Sequence, residues 1–375
     1  MTDERSRRKT TSPHAGRPRG AGDKKSPSAK VPKPLPKDLP VDQATERAVG
    51  VTLEELTALF VLLAVKGFGP QKFKEMYASG IRAVDAVHGR EELPTAGKRG
   101  DNLRAQLAKD VQSLLPVCRS RAARQLHAAK SLGAAIVTYQ HPAYPKNVYA
   151  SNNPVPLLYA RGVLDVLKDR RVVACVGSRQ IRSPYDELHR AFARAACDEE
   201  FAISSGFALG ADSIGHRAAL EAGGRTICVM PCGLDRPFPP ENRGLWDELL
   251  KDHGGVFISE FPFGTRASSL TLRRRNKLIV AAALGVLVSQ TSTTGGAMNA
   301  YRFALEQRKP IATFAADGKP DTSGNSAMTN PPARNATGNR PASSLGPPPA
   351  AQTFTSARAD REAYRRWLRS LSSST

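Results

Sequence analysis

RVVACVGSRQIRSPYDELHRAFARAACDEEFAISSGFALGADSIGHRAALEAGGRTICVMP, residues 171–231, decides the fold. It contains three short runs, 171–177, 201–206 and 225–231, that are apolar at nearly every position. A strand with one wet face alternates apolar and polar residues. A continuously apolar strand belongs to a sheet covered on both sides. Between the runs, YDELHRAFARAACDE and ADSIGHRAALEAG place apolar residues at helical spacing. Strands and helices in this rhythm predict parallel pairing through right-handed crossovers, hence a doubly wound α/β sheet.

The rhythm continues outward. GVFISEF (255–261), GVLVSQT (285–291) and PIATFA (310–315) are further strands, separated by the helical patterns ENRGLWDELLKDH, RNKLIVAAA and GGAMNAYRFALEQ. Upstream, AAIVTYQ and PVPLLYARG are two more strands joined by a Pro/Asn-rich loop. LEELTALFVLLAV opens a helical region from Val51, with GFGPQKF after it. Gly67 and Gly69, followed by Lys72 and Lys74, fit a helix-hairpin-helix whose turn amides meet phosphates. They fit an ordinary helical hairpin equally well. The expected divisions are a disordered basic arm (1–48), a small all-α domain (49–132), a Rossmann-like domain (133–328) and a mostly disordered tail (329–375). Within that tail, REAYRRWLRSL predicts one short basic helix, too short to fold alone.

The 375 residues carry a formal charge of +21, which points to a polyanionic partner, nucleic acid or an anionic membrane surface. No apolar run approaches the roughly 20 residues of a membrane span, and the N-terminus lacks the apolar core of a signal peptide. The expected location is the cytoplasm. The five cysteines, Cys118, Cys175, Cys197, Cys228 and Cys232, include no C-x-x-C pair, so reduced core thiols are expected and no metal or cofactor. Cys228 and Cys232 lie four apart without a second ligand pair.

In a doubly wound sheet, ligands sit beyond the carboxyl ends of the strands. The loops expected there carry Gly177-Ser178-Arg179, then Gly206, Gly210, Asp212 and His216, and finally Thr294-Gly295-Gly296. Glycine lets a phosphate approach the backbone, and the helix N-termini after Gly210 and Gly296 offer amides. Arg266, Arg273, Arg274, Arg275 and Lys277 add cations, and Asn276 an amide, before the apolar run LIVAAALGVLV. Charge is costly to bury, so these groups are expected at the sheet rim, where a phosphate backbone neutralises them. The dinucleotide spacing G-x-G-x-x-G is absent after the first strand of the segment. Asp212 and His216, four apart, read as a helix cap and a packed histidine, with an acid/base pair as the other reading. Glu260 beside the basic loop reads as a residue that orients an arginine.

The ordered motifs resemble the DNA-processing protein A (DprA/Smf) family. SGFALGADSIGH is similar to its SG-x-A-x-G-x-D-x-x-A-H, GLDRPFP to G-x-D-x-x-Y-P, SEFPFGT to SE-x-x-x-G, and RRRNKLI to R-N-R-I-I. The likeness spans about residues 134–328, and the helical piece before it is similar to the family's SAM-like or helix-hairpin-helix domain. It implies a non-catalytic, homodimeric protein that binds single-stranded DNA and helps load RecA recombinase in natural transformation. Carried over by position, Arg179 and the run Arg275-Asn276-Lys277 bind the DNA backbone, while Gly206, Thr294, Gly295 and Gly296 shape the pocket. Where the family reads F-P-x-R-N-R, this chain has Leu272-Arg273-Arg274-Arg275-Asn276-Lys277. The aromatic that would stack on a base is missing, so binding is expected to lean on charge. The alternative is a nucleotide N-glycosidic hydrolase of the LOG type, or a nucleotide-signal sensor, on the same fold. TTGGAMNAY lacks that enzyme's Pro and catalytic Glu, leaving Glu260 as the substitute carboxylate.

Overall fold

Nine strands form one sheet in the order β1-β2-β6-β5-β4-β3-β7-β8-β9. They are β1 (Ala134–Thr138), β2 (Leu157–Gly162), β3 (Val172–Val176), β4 (Ala202–Ser205), β5 (Thr226–Val229), β6 (Gly255–Ser259), β7 (Gly285–Val288), β8 (Ile311–Phe314) and β9 (Gln352–Phe354). β1, β2 and β6 pair antiparallel, and every pairing from β6 through to β9 is parallel. The computed structural model describes residues 40–94, 97–152, 154–251, 254–330 and 350–373. Most of the expected basic arm, residues 1–39, and the stretch 331–349 lie outside the described residues.

The strands are buried on both faces, as their composition requires. Along β3, Val172, Ala174 and Val176 belong to one core and Val173 and Cys175 to another, on opposite sides of the sheet. Helices α10 (Ser269–Ala282) and α11 (Ala297–Glu306) close the first side. Helices α7 (Tyr185–Asp198) and α8 (Ala211–Glu221) close the second, with α9 (Arg243–Lys251) further along that layer. The short α6 (Lys146–Ala150) lies in the β1–β2 connection, and its Asn147 Nδ2 donates to Ala282 O at 3.0 Å. The expected Rossmann-like α/β fold is thus borne out.

Helices α1 (Gln43–Val49), α2 (Leu53–Ala64), α3 (Pro70–Ala78), α4 (Ala83–Val87) and α5 (Gly97–Ser131) precede the sheet. α1 begins inside the stretch expected as a disordered arm. Asp42 caps it by accepting the Thr45 N–H at 2.8 Å, and Gly50 ends it at φ 88. These helices do not hold a separate core. Leu56, Phe60, Phe73 and Leu126 share one cluster with Tyr159 of β2, Phe257 of β6 and Trp246 of α9. The expected boundary at residue 132 therefore runs through continuous packing. Among the described residues, no helix is long and apolar enough to cross a membrane.

Residues 323–329 form helix α12 (Ser323–Thr329) at the end of the expected Rossmann-like domain, and within the stretch expected as a mostly disordered tail, residues 350–373 supply edge strand β9 and helix α13 (Arg358–Ser373), the helix lying where REAYRRWLRSL predicts one. The low mean hydropathy of α13 hides a strict stripe: Tyr364, Trp367, Leu368 and Leu371 are buried against Phe192 and Phe354. Arg365 and Arg369 fix its register through Glu199. Too few apolar residues for a domain suffice for a helix that borrows an existing core. Leu368→Ala should cost about 2–5 kcal/mol in chemical denaturation, whereas Arg361→Ala on the exposed side should stay within about 0.5 kcal/mol. Equal, small effects would show that α13 is not part of the folded unit.

Candidate functional site

β3 and β7 are parallel neighbours, but their crossovers leave in opposite directions, β3 toward β4 and β7 toward β8. The loops beyond their carboxyl ends diverge and open a crevice. A cleft of about 770 Å³ lies there. Gly177, Ser178 and Arg179 line it from β3, Gly295 and Gly296 from the loop after β7, and Arg273, Arg275 and Asn276 from α10. Ser178 N–H donates to Gln290 O at 2.8 Å, tying the two divergent loops together at their root.

Helical periodicity divides the basic run that the sequence presents as one cluster. Arg273 and Asn276, three apart, face the switch-point cleft. Arg274 and Lys277, also three apart, line a second cleft of about 610 Å³ on the other side of α10. There Arg274 donates through Nε to Glu260 Oε2 at 2.9 Å, and burial pushes the Glu260 carboxyl above its ordinary value against that pairing. Glu260 thus holds an arginine, as its position suggested, and faces away from the switch-point cleft.

Arg275 points inward. Its guanidinium is buried, donating from Nη1 to Gly206 O and to Val229 O, the latter at 2.8 Å, and from Nε to Asn276 Oδ1 at 3.2 Å. Gly206 has no side chain because the guanidinium occupies the place a Cβ would take. Val229 ends β5 and Gly206 follows β4, so one arginine binds the carboxyl ends of two adjacent strands. It forms the floor of the cleft rather than its rim, which corrects the expectation for this residue. Burial raises the Asp212 carboxyl, and the Arg275 charge opposes that shift.

The cations free to meet a ligand are fewer than the sequence offered. Arg179 and Arg273 are exposed, line the cleft and form no ion pair among the described residues. Arg266 is exposed but outside the lining, as is Thr294, whose Oγ1 lies 3.3 Å from Ser292 Oγ. Asn276 Nδ2 donates to Gly296 O at 3.4 Å and sets the height of the glycine loop against α10.

The two helix N-termini differ. Gly210 sits at φ 76 with the Ser178 and Arg179 carbonyls where a side chain would be, and the Ala211 N–H donates to Ser178 O at 3.0 Å. The Asp212 carboxylate accepts the Ala208 N–H at 3.2 Å, so α8 already holds an anion of its own. At α11 the amides of Gly296 and Ala297 find no acceptor among the described residues, and Gly296 borders open space.

His216 is buried away from the cleft, its Nδ1 2.7 Å from Thr226 Oγ1, and burial pushes it down to about 3. His189 is likewise buried and pushed down to about 4. The reading of His216 as a packed histidine holds. Among the described residues, no group of three or more His, Cys, Asp or Glu side chains is placed to hold a metal ion.

The sequence reading missed the support built from residues 317–325. Asn325 accepts the Thr291 N–H at 3.0 Å and donates to Thr313 Oγ1 at 2.9 Å, bracing the ends of β7 and β8. Asp317 and Asp321 hold Arg182 at 2.7 Å each. Their polar, Gly- and Pro-rich composition is what disorder looks like, and only the Asp/Asn spacing hinted at turn caps.

A mostly parallel sheet with a switch-point cleft, and with amides and guanidinium groups unpaired among the described residues, defines a Rossmann-like protein whose crevice holds donors of the kind that bind phosphate. The family model for DNA recombination-mediator protein A matches residues 135–340, more than half of the sequence, and the chain belongs to that family. The DNA processing protein DprA of Bacillus subtilis is 31% identical over 183 residues, covering 49% of this chain and 59% of that protein. Protein Smf of Synechocystis sp. is 31% identical over 188 residues, covering 49% and 46%. The chain spans about half the length of the curated relatives it matches. Among solved structures, DprA of Streptococcus pneumoniae aligns with TM-score 0.54 and 22% identity over 73% of this chain and 90% of that one. DNA processing protein A of Helicobacter pylori, whose structure describes a single-stranded DNA binding mode, aligns with TM-score 0.51 and 21% identity over 64% and 96%. At such identity these two establish the fold.

Two outcomes follow from the geometry. Arg275→Ala leaves two buried carbonyls and the Asp212 charge without their partner, so it should lose roughly 3–5 kcal/mol of stability, and Arg275→Lys should lose part of that because it lacks the fork. Arg179→Ala should melt like the parent chain; if it melts with Arg275→Ala, the division between floor and rim is wrong. Both buried histidines have folded values below the ordinary 6.5, so the fold favours their neutral form. Their contribution is complete above about pH 6.5 and is lost on acidification toward their folded values, at roughly 1.4 kcal/mol per pH unit for each histidine. Unfolding free energy measured between pH 7 and 5 should fall with pH; a flat profile would refute their buried neutral state.

Proposed function

We propose that this chain binds single-stranded DNA in the switch-point cleft, acts as a homodimer and passes the strand to RecA recombinase during recombination or natural transformation, without covalent chemistry. The observation that carries the DNA reading is the convergence of Arg179 and Arg273, from separate elements and unpaired among the described residues, on one cleft with the free amides of Gly296 and Ala297. A phosphate backbone neutralises such a rim and releases counterions. A single strand bends into a recess, whereas a duplex is stiff over about 150 base pairs. The relative from Helicobacter pylori has a described single-stranded DNA binding mode, which supports the same ligand here. Dimerisation and RecA loading rest on the family resemblance.

The glycosidase reading has less support. Its chemistry needs a carboxylate at the reacting carbon, and Glu260 lies on the second cleft in the grip of Arg274. In the switch-point cleft, Asp212 accepts the Ala208 N–H beneath the loop before α8, and Asp321 pairs with Arg182.

Binding of unstructured oligonucleotides, followed by fluorescence anisotropy across salt, tests the proposal. Arg179→Ala and Arg273→Ala should each weaken all sequences about equally and flatten the log–log salt slope by roughly 0.7. Slopes unchanged in both variants would move the site elsewhere.

A further inference from the structure

The second cleft, of about 610 Å³, has no part in the DNA reading above, although α10 is a wall of both recesses. Three parts of the chain enclose it: Leu63 and Pro70 from the helices before the sheet, Val148 and Val155 from the β1–β2 connection, and Leu278 and Ala281 from α10. Leu63 is 44% exposed, one of four large apolar side chains left open among the described residues. A recess of roughly 300–1,000 Å³ with apolar walls suits a small ligand or one unit of a polymer.

The polar groups on the same walls are unevenly matched. Glu260, whose side chain is 6% exposed, accepts Arg274 Nε at 2.9 Å and Nη2 at 2.8 Å through Oε2 alone, and its Oε1 has no donor among the described residues. Gln307 donates from Nε2 to Lys277 O at 3.3 Å, while its buried Oε1 is unpartnered among the described residues. Lys277 forms no ion pair among the described residues. Two cations, Arg274 and Lys277, share the walls with two carboxylates, Glu260 and Glu306, so the cleft has no excess charge to draw a bare phosphate chain. It suits instead a ligand with an N–H donor, an apolar face and one anionic group.

We infer that the second cleft is a subsite for one amine-bearing nucleotide: the base lies on the apolar walls, its exocyclic amine donates to Glu260 Oε1, and its phosphate meets Lys277. Cytosine is the simplest such base, since a carboxylate accepts from its N4 amine. Thymine carries a carbonyl oxygen at that place, which a carboxylate repels. Glu260 is held by Arg274, so the acceptor is fixed before the ligand arrives. As a unit of the strand, the nucleotide rests on the single-stranded DNA reading. Arg273 and Arg274 are successive residues lining the two clefts, and a helix is only about 10 Å across, which a short single strand spans. Taking a base out of its stack costs least where the strand is already single. A free nucleotide presents the same groups.

The full chain is titrated at mildly alkaline pH with oligo-dC and oligo-dT of equal length, and separately with deoxycytidine and thymidine monophosphates. Wild type should bind oligo-dC about tenfold more tightly than oligo-dT, the scale of one hydrogen bond to a charged group. Glu260→Gln, whose amide either donates or accepts, should bring the two affinities together. Leu63→Trp, which crowds the cleft from an exposed position, should do the same and carries the test if the first variant does not fold. Arg179→Ala should weaken both oligomers and keep their ratio. Binding of free deoxycytidine monophosphate that Glu260→Gln abolishes assigns the site to a soluble nucleotide; a preference confined to the oligomers assigns it to the strand. A preference that both cleft variants retain overturns the subsite. So does a wild type that distinguishes neither the oligomers nor the monophosphates, while oligomer binding that depends on Arg179 leaves the DNA reading standing. If no oligomer binds, the DNA reading fails, and the subsite stands only on Glu260-dependent binding of the free monophosphate.

Discussion

A guanidinium buried under the ends of two strands organises this molecule. Arg275 donates to the carbonyls of Gly206 and Val229, just past the last β4–β5 pair, Ser205 and Cys228. A sheet end is a row of unpaired carbonyls, and leaving them buried without donors is expensive. One planar, permanently charged group with several donors satisfies two of them and balances the buried Asp212. The cleft above it then has a rigid, cationic floor. The glycine at 206 follows from the same requirement, since any side chain would displace the guanidinium.

The functional surface is what remains after that internal use. Of the basic residues around α10, one is spent on the sheet and one on Glu260, and Lys277 faces a different cleft. Arg179 and Arg273 are left facing the crevice, with the α11 amides beside them. In the proposed reading, two guanidinium groups unpaired among the described residues, set over a preformed recess, would meet phosphate with little reorganisation and with a contribution sensitive to salt.

The supports of the cleft come from far along the chain. Asn325 and the Asp317/Asp321 pair with Arg182 brace the β7 and β8 ends. β9 and α13 extend the sheet and seal the side that α7 begins. These segments contain few apolar residues per length, and a core built by other segments makes up the deficit. A helix need only present one apolar stripe to be retained there.

The sequence by itself determined the doubly wound sheet, the strands flanking the crevice and the family. Continuous apolar runs between helical repeats, and ordered motifs such as SGFALGADSIGH, are properties of the chain read in one dimension. It also showed that cations and glycines gather at the carboxyl end of the sheet. Only the tertiary structure decided which cation does what. Three consecutive arginines look alike in a sequence, yet a helical turn of 3.6 residues sends them to a cleft, a carboxylate and the core. The same applies to residues 350–373, where composition predicts a short basic helix but neither the edge strand before it nor the core that holds it. Burial and partnership are set by neighbours distant in sequence, and that is the information a linear pattern lacks.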